Sequence, residues 1–556
     1  MLKKSEFIFR TSDKVGFAAA EQDQAFLVEC FIDNGQYDEL VRGDLASHIV
    51  LGRTGAGKTA LLERIEEKQA NGIRLDPEQL ALNYLTNSTI LRFLLDLDID
   101  LDLFFALLWR HVIVVEVIRK RYKIRDAESK ARFFASFASL FQNPKQQKAL
   151  EYLDQWGGSF WLDTDARIKE VASKIENDVR ATAGASYPGL VSKLEAGTKF
   201  TDEEKIEYAQ RFKTIISNVQ IQELANVIDL LASILDDPQN VFFVLIDYLD
   251  EKWVDDRYKT RLIRALLEAT RKFLSVKNLR IVVALRFDLY DRVLADSRPS
   301  QHQEEKLQAL AMNVKWTRPQ LTQLIDERIG RLIRQRYTTR PVTNVDLLPE
   351  TMADGTKRRA TIEWMLDRTF MRPRDLIQFF NFAMAKAIGE PAISEAMLKD
   401  AEGEYSRDRL NSIADEYSVS YPNLRNFVEI LFGRKERFKI GEIGDMEMLE
   451  AVETALSMCN GTTDRFKTIA LEFRDGARTL DLFSRELFSI FYDVGIVGLQ
   501  KAQGEPVSWT FESRRSLSRA EITNETRANV HPMLFRRLGI RTADEPPDDS
   551  LFNSHD

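Results

Sequence analysis

The stretch HIVLGRTGAGKTALLERI at residues 48–65 constrains the fold more than any other part of the chain. An apolar triplet, Ile49, Val50 and Leu51, runs into a glycine loop, and Leu61, Leu62 and Ile65 recur behind it at helical spacing. The loop matches G-x-x-x-x-G-K-[ST] with Gly52, Gly57, Lys58 and Thr59 in the fixed positions. Such a loop must follow a buried strand and open a helix, because its backbone does the binding. Glycines adopt angles that aim successive N–H groups into one concavity, and the positive end of the helix adds to it. Gly52, Arg53, Thr54, Gly55, Ala56, Gly57, Lys58, Thr59 and Ala60 are therefore expected to hold a polyphosphate. Lys58 then neutralises the β and γ phosphates, and the Thr59 hydroxyl serves Mg2+.

A site of this kind needs a second strand that ends in a carboxylate, since Mg2+ takes hard oxygen ligands. In VFFVLIDYLDEKW, residues 241–246 form a continuous apolar run suited to a buried parallel strand, with Asp247 at its end as the metal-side acid. The other reading of Asp247 is an acidic turn after a strand. Hydrolysis also requires an acid that orients water. Asp250 and Glu251 are available, while the position next to Asp247 is Tyr248, so slow turnover or a held nucleotide stays open. A third strand at 279–285 leads into Arg286, which reads as a sensor of the γ-phosphate or as a salt-bridge partner of Asp288 or Asp250. In MRPRDLIQFF, Pro373 starts a helix and Arg372 and Arg374 sit where its dipole disfavours cations, so an anion is expected there. Arg374 is the candidate phosphate-contacting lid arginine; an internal salt bridge is the alternative. The guanine-selecting NKxD pattern is absent, which favours ATP, and neither HExxH, G-x-S-x-G nor a Cys/His cluster suggests a second active site.

In their order, the glycine loop, the D-x-L-D-E strand end, the strand ending in arginine and the P-R-D helix start resemble the bacterial P-loop ATPases of the AAA+, STAND and KAP group. The resemblance covers roughly residues 10–385 and is strongest to soluble, stand-alone members with a helical insertion and a winged-helix tail, several of them found among antiphage defence genes. It implies an α/β P-loop NTPase with a parallel sheet, a large helical insertion, a helical lid and a C-terminal winged helix. It also implies ATP and Mg2+ as cofactors, and a strap over the adenine in which Phe17 and Glu21 fall; ordinary packing explains those two equally well.

On this basis the expected organisation is a strap at 1–46, an ATPase core at 47–295 with an insertion at about 95–225, a lid at 296–404, a winged-helix-like region at 405–541 and a disordered acidic tail at 542–556. The 189 positions between Lys58 and Asp247 exceed what one crossover needs, hence the insertion. The apolar stretch 101–118 is broken by Arg110, His111 and Glu116, so it reads as a buried helix rather than a membrane span. The segment 298–306, RPSQHQEEK, reads as a loop, and Thr317 with Gln320 as a capping box for a helix whose Arg328, Arg331 and Arg334 face solvent or a neighbouring subunit's nucleotide. The segment 495–514 reads as two strands joined at Gly504. Two cysteines, five histidines and no signal-like apolar run lead us to expect a cytoplasmic protein without disulfides.

Net charge is −8, yet residues 251–375 hold 26 Lys+Arg against 17 Asp+Glu. This surplus suits either solvated arginine-rich helices or a nucleic-acid surface. Three functions follow as expectations. The first is an ATP-driven switch or assembly module working as a homo-oligomer or with an effector, in antiphage defence. The second is an origin-recognition-like DNA-binding protein, and the third a scaffold with locked nucleotide.

Overall fold

The structure, a computed structural model, describes residues 7–43, 47–78, 102–123, 237–254, 256–295, 301–337, 341–355, 357–418, 420–458, 464–512 and 517–542, with isolated positions between 128 and 235. Most of the expected insertion and nearly all of the acidic tail lie outside the described residues. Two compact units are formed: Asp33–Arg53 with Gly57–Val314, and Met1–Ile32 with Thr54–Ala56 and Lys315–Asp556.

The first, the sheet unit, is α/β. Strand β1 (Ser47–Leu51) leads through the glycine loop to helix α1 (Lys58–Lys68) and strand β2 (Gly72–Leu75). There follow α2 (Asp102–Tyr122), β3 (Phe242–Ile246), α3 (Asp256–Thr270), β4 (Leu279–Leu285), α4 (Phe287–Ala295), α5 (Gln301–Gln308) and β5 (Ala311–Asn313). The five strands form one parallel sheet in the order β2-β3-β4-β1-β5. All five residues of β3 are buried, as a parallel strand covered on both faces requires. This order puts β4 between the strand that feeds the glycine loop and the strand that ends at Asp247.

The apolar stretch 101–118 is the buried helix it was expected to be. Phe105, Trp109, Val112 and Val115 of α2 lie in the core of the sheet unit, and the Trp109 indole donates to the Leu262 carbonyl of α3 at 3.0 Å. The described start of the insertion is thus part of the core. Among the described residues no helix is long and apolar enough to cross a membrane. The segment read as a loop at 298–306 is helical from Gln301, as part of α5. Its sequence QHQEEKLQ is rich in helix formers but has one apolar residue, so no periodicity announces it.

In the second, helical unit, α6 (Arg318–Arg336) opens with the expected capping box: Gln320 N–H donates to Thr317 Oγ1 at 3.4 Å, and Thr317 N–H to Gln320 Oε1 at 2.9 Å. A hairpin of β6 (Thr351–Asp354) and β7 (Lys357–Ala360) precedes α7 (Thr361–Asp367), α8 (Pro373–Lys386) and α9 (Glu395–Glu416). Then come β8 (Arg437–Lys439), α10 (Asp445–Met458), α11 (Arg465–Arg474), α12 (Leu480–Val494), β9 (Val497–Gln500) and β10 (Arg527–Val530). The last three strands form an antiparallel sheet, β8-β10-β9. One apolar core extends from Phe9 to Ile540, and the boundary expected at 404/405 falls inside α9.

The second strand expected at 495–514 is reduced to a single bridge, Leu499↔Ser508, and β9 pairs instead with β10. Pro506, two residues before that bridge, has no N–H to donate to a ladder. Residues 7–32 belong to this unit as well: Phe9 N–H donates to the Glu390 carbonyl at 3.0 Å and Val15 N–H to Asn381 Oδ1 at 3.0 Å. They cover the arginine face of α6, which corrects the reading of that face as solvated. Arg328, 2% exposed, pairs with Asp23 at 2.6 Å and donates to the Val15 carbonyl. Arg331 pairs with Glu29 at 3.1 Å and lies over the Phe26 ring, whereas Arg334 stays exposed. The arginine surplus of the middle section is met in the same way. Arg336, Arg358, Arg368 and Arg372 pair with Asp13, Glu395, Glu402 and Glu416, acids from outside that section.

Candidate functional site

The glycine loop connects β1 to α1. Gly55 (φ +76°) and Gly57 (φ +99°) take left-handed angles there that glycine adopts without strain. Its carbonyls all have donors. Lys58 Nζ reaches Gly52 O at 3.0 Å and Arg53 O at 3.1 Å. Thr54–Ala56 group with the helical unit, and within it Arg372 Nη1 donates to Thr54 O at 2.5 Å, Arg374 N–H to Gly55 O at 3.4 Å and Trp316 Nε1 to Ala56 O at 2.8 Å. The amides are in the opposite condition. Among the described residues, the N–H groups of Thr54, Gly55, Ala56, Gly57, Thr59 and Ala60 have no acceptor, and the buried Thr54 hydroxyl has no partner. Engaged carbonyls, amides without acceptors and a helix start are the arrangement that could receive an anion.

In the sheet unit, Asp247 follows β3 and is 4% exposed. Its Oδ2 accepts from Arg74 Nη2 at 2.8 Å, its Oδ1 from Tyr248 N–H at 3.0 Å, and the Thr59 hydroxyl bonds its carboxylate. Burial pushes the Asp247 carboxyl above its ordinary range, against the pull of Arg74, the Tyr248 N–H, Lys58 and Thr59. Tyr248 has φ +59°, a left-handed angle that is strained for a bulky residue. The chain then turns, with Glu251 N–H donating to Tyr248 O at 3.1 Å, so Asp250 and Glu251 lie exposed just past the acid. At the tip of β4, Arg286 forms a two-pronged pair with Asp288, at 2.9 Å for each contact, and lies 3.9 Å from Asp250. Both salt-bridge readings of Arg286 are therefore present.

At the start of α8 the two arginines have different surroundings. Arg372 pairs with Asp375 at 2.9 Å and Glu416 at 3.4 Å; burial opposes its charge, but these carboxylates outweigh it and hold the guanidinium protonated above its ordinary value. Asp375, fully buried, also binds Arg409 Nη1 at 3.0 Å and the Phe370 N–H at 2.9 Å. Arg374 has no carboxylate in ion-pair range among the described residues, and its Nε donates to the Ala18 carbonyl at 3.2 Å. Burial, and then the like charge of Arg372, lower its pKa, an environment that an anion would relieve.

The segment 319–414, which spans α6 to near the end of α9, matches the family model of the FunZ-associated C-terminal helical domain. A second similarity runs along almost the whole chain. It is 22% identical over 550 residues, 97% of this chain and 69% of the relative, to the "Putative transposon gamma-delta 80.3 kDa protein" of Escherichia coli (strain K12).

The structure brings Thr59 and Asp247 together, as the motif spacing anticipates, and places Arg374 against Gly55. It also contains functional candidates that the sequence did not reveal, Arg74 and Trp316, and it gives Arg372, expected beside an anion, the Thr54 carbonyl as a partner instead. An arginine in the short strand GIRL was the only signal for Arg74, and the Trp316 contact spans 260 positions.

Proposed function

We propose that this chain is a Mg2+-dependent P-loop ATPase of the AAA+/STAND-like class, working as a nucleotide-driven switch or assembly module. One observation carries the reading: six amide donors around Lys58 lack acceptors while every carbonyl from Gly52 to Ala56 is already engaged. A triphosphate supplies the acceptors that such a loop lacks. The paired oxygens of Thr59 and Asp247 are hard ligands of the kind Mg2+ takes, and the bound metal would neutralise phosphate charge there. Lys58 exchanges its two loop carbonyls for phosphate oxygens. Arg374 adjoins the tip of the loop, where its N–H meets the Gly55 carbonyl. Asp250 or Glu251 orients water, with Arg286 positioned by Asp288 beside Asp250. With Tyr248 next to Asp247, turnover is expected to be slow.

Helices α10–α12 with the β8-β10-β9 sheet support the winged-helix reading of the carboxyl-terminal region. The pairing of four middle arginines with acids from outside that section reduces the charge surplus that motivated the DNA-binding alternative. A relative named for a transposon fits a chain that acts in the traffic or defence of mobile elements, with self-assembly or an effector protein as its output. Lys58→Ala tests the proposal. Its affinity for ATP with Mg2+, measured by calorimetric titration, is expected to fall at least about a hundredfold, roughly 3 kcal/mol, with turnover lost. Parental affinity in that variant would refute the reading.

A further inference from the structure

Asp247 already has a cation of its own. Arg74 sits on β2, whose parallel register with β3 sets Arg74 opposite Leu245 and Leu75 opposite Ile246, one residue short of the acid. Ile73 and Leu75 turn into the core, so Arg74 projects from the other face of the strand. There its Nη2 lies 2.8 Å from Asp247 Oδ2 and its guanidinium 5.3 Å from the Tyr248 ring, while Nη1 is buried without a hydrogen-bond partner. The pair is well shielded, with side-chain exposures of 18% and 6%. A guanidinium with an unsatisfied donor gains little from burial except through the groups it faces, so Asp247, with the Tyr248 ring beside it, is what holds it.

We propose that Arg74 is a resident counter-cation of Asp247 that competes with the divalent metal and thereby sets the Mg2+ concentration at which nucleotide is held. The argument is steric and electrostatic. Mg2+ demands a ligand oxygen at about 2.0–2.1 Å in near-octahedral geometry. Asp247 Oδ2 accepts a charge-assisted bond from Arg74, and two cations on one buried oxygen repel strongly where water screens poorly. Metal entry therefore requires Arg74 to swing off Oδ2. Its unpartnered Nη1 provides the reason it can leave: a phosphate oxygen satisfies both nitrogens where the carboxylate satisfies one. Arg74 thus acts as a positioning residue, exchanging the acid for the anion as the metal takes its place.

This inference rests on the nucleotide-binding reading above, and the experiment separates the two. Binding of a fluorescent ATP analogue is titrated with Mg2+ in the intact chain, in EDTA and over a metal series, for the parent, Arg74→Met, Arg74→Lys and Asp247→Asn with and without Arg74→Met. Methionine keeps the stem and removes the charge. Arg74→Met is expected to lower the half-saturating Mg2+ about tenfold and to weaken metal-free binding in EDTA. Arg74→Lys, which keeps the charge but loses the two-pronged donor, is expected to keep the parental Mg2+ requirement to within about twofold while weakening metal-free binding as Arg74→Met does. In the Asp247→Asn background, Arg74→Met is expected to leave the Mg2+ dependence unmoved. Binding of Mn2+ without nucleotide, followed by paramagnetic resonance, is expected to tighten in Arg74→Met to a similar extent. An unchanged or raised Mg2+ requirement in Arg74→Met overturns the competition, and an equal shift in the Asp247→Asn background overturns its route through Asp247. A parent that binds no nucleotide under any condition overturns the functional reading itself, and this inference with it.

Discussion

Asp375→Asn is expected to lower the unfolding temperature of the helical unit by on the order of 10 °C. The carboxylate is wholly buried, holds Arg372 and Arg409 at 2.9 and 3.0 Å, and caps the Phe370 N–H. Asparagine keeps the shape but leaves two buried guanidinium groups facing a neutral amide. Breaking a buried pair in this way costs about 3–5 kcal/mol, and a unit of this size loses about 2–4 °C per kcal/mol. Burial alone would raise the Asp375 carboxyl, but Arg372, Arg409 and the Phe370 N–H outweigh it and hold its pKa below the usual range. A depressed acid contributes stability that is present above its unfolded pKa, about 3.9, and lost as pH falls toward the folded one. The gap between parent and variant in calorimetry is therefore expected to be full at pH 7 and to narrow below about pH 4. An equal gap at pH 3 and pH 7 would show that the charge of Asp375 is not what the fold uses.

The second large effect is expected from Gly55→Val. Gly55 lies in a variable position of the motif, so the pattern of fixed residues does not forbid a side chain there. The structure does. Its φ is +76°, and an added Cβ would stand 2.5 Å from Arg374 Cβ, 2.8 Å from Cδ and 2.9 Å from Nε. Arg374 Cβ is fixed to the backbone of α8 and cannot swing aside, and a β-branched residue at a left-handed angle adds strain of its own. The loop tip must open, the Gly55 carbonyl loses the Arg374 N–H, and the amide cradle is broken up. ATP affinity is expected to drop at least about a hundredfold while far-ultraviolet circular dichroism stays parental. Gly476→Val is the control, because Gly476 has φ +77° with nothing within 4 Å. It is expected to bind ATP as the parent does. Similar losses in both variants would mean that a general loss of stability, not the opening of the loop at Arg374, is responsible.

What could be read in the sequence was what local patterns encode. The glycine loop, the buried runs that became β3 and β4, and the capping box of α6 all depend on residues within a few positions of one another. Arg74 was invisible because its pairing with Asp247 comes from the parallel alignment of two strands 173 positions apart in sequence. Arg328 and Arg331 were misread for the opposite reason. An arginine on the polar face of an amphipathic helix belongs in water until another segment covers it, and here Asp23 and Glu29, some 300 residues upstream, do so. Similarly, Arg372 and Arg374 look alike in the motif MRPRD, but Arg372 has Asp375 of its own helix and Glu416 of α9 within ion-pair distance, while Arg374 feels the same two acids only from farther away.

The pairing of residues 7–32 with the part of the chain beyond Lys315 has a consequence for biosynthesis. The ribosome releases the amino-terminal segment first, yet its partners Arg328, Asn381 and Glu390 emerge more than 300 residues later. The sheet unit, encoded between them, can fold while that segment waits with Phe9, Val15 and Phe26 uncovered. At a translation rate of about 5–20 residues per second this wait lasts tens of seconds. Chaperone capture of the nascent amino terminus should therefore matter more for this chain than for one whose units are completed in the order they are made.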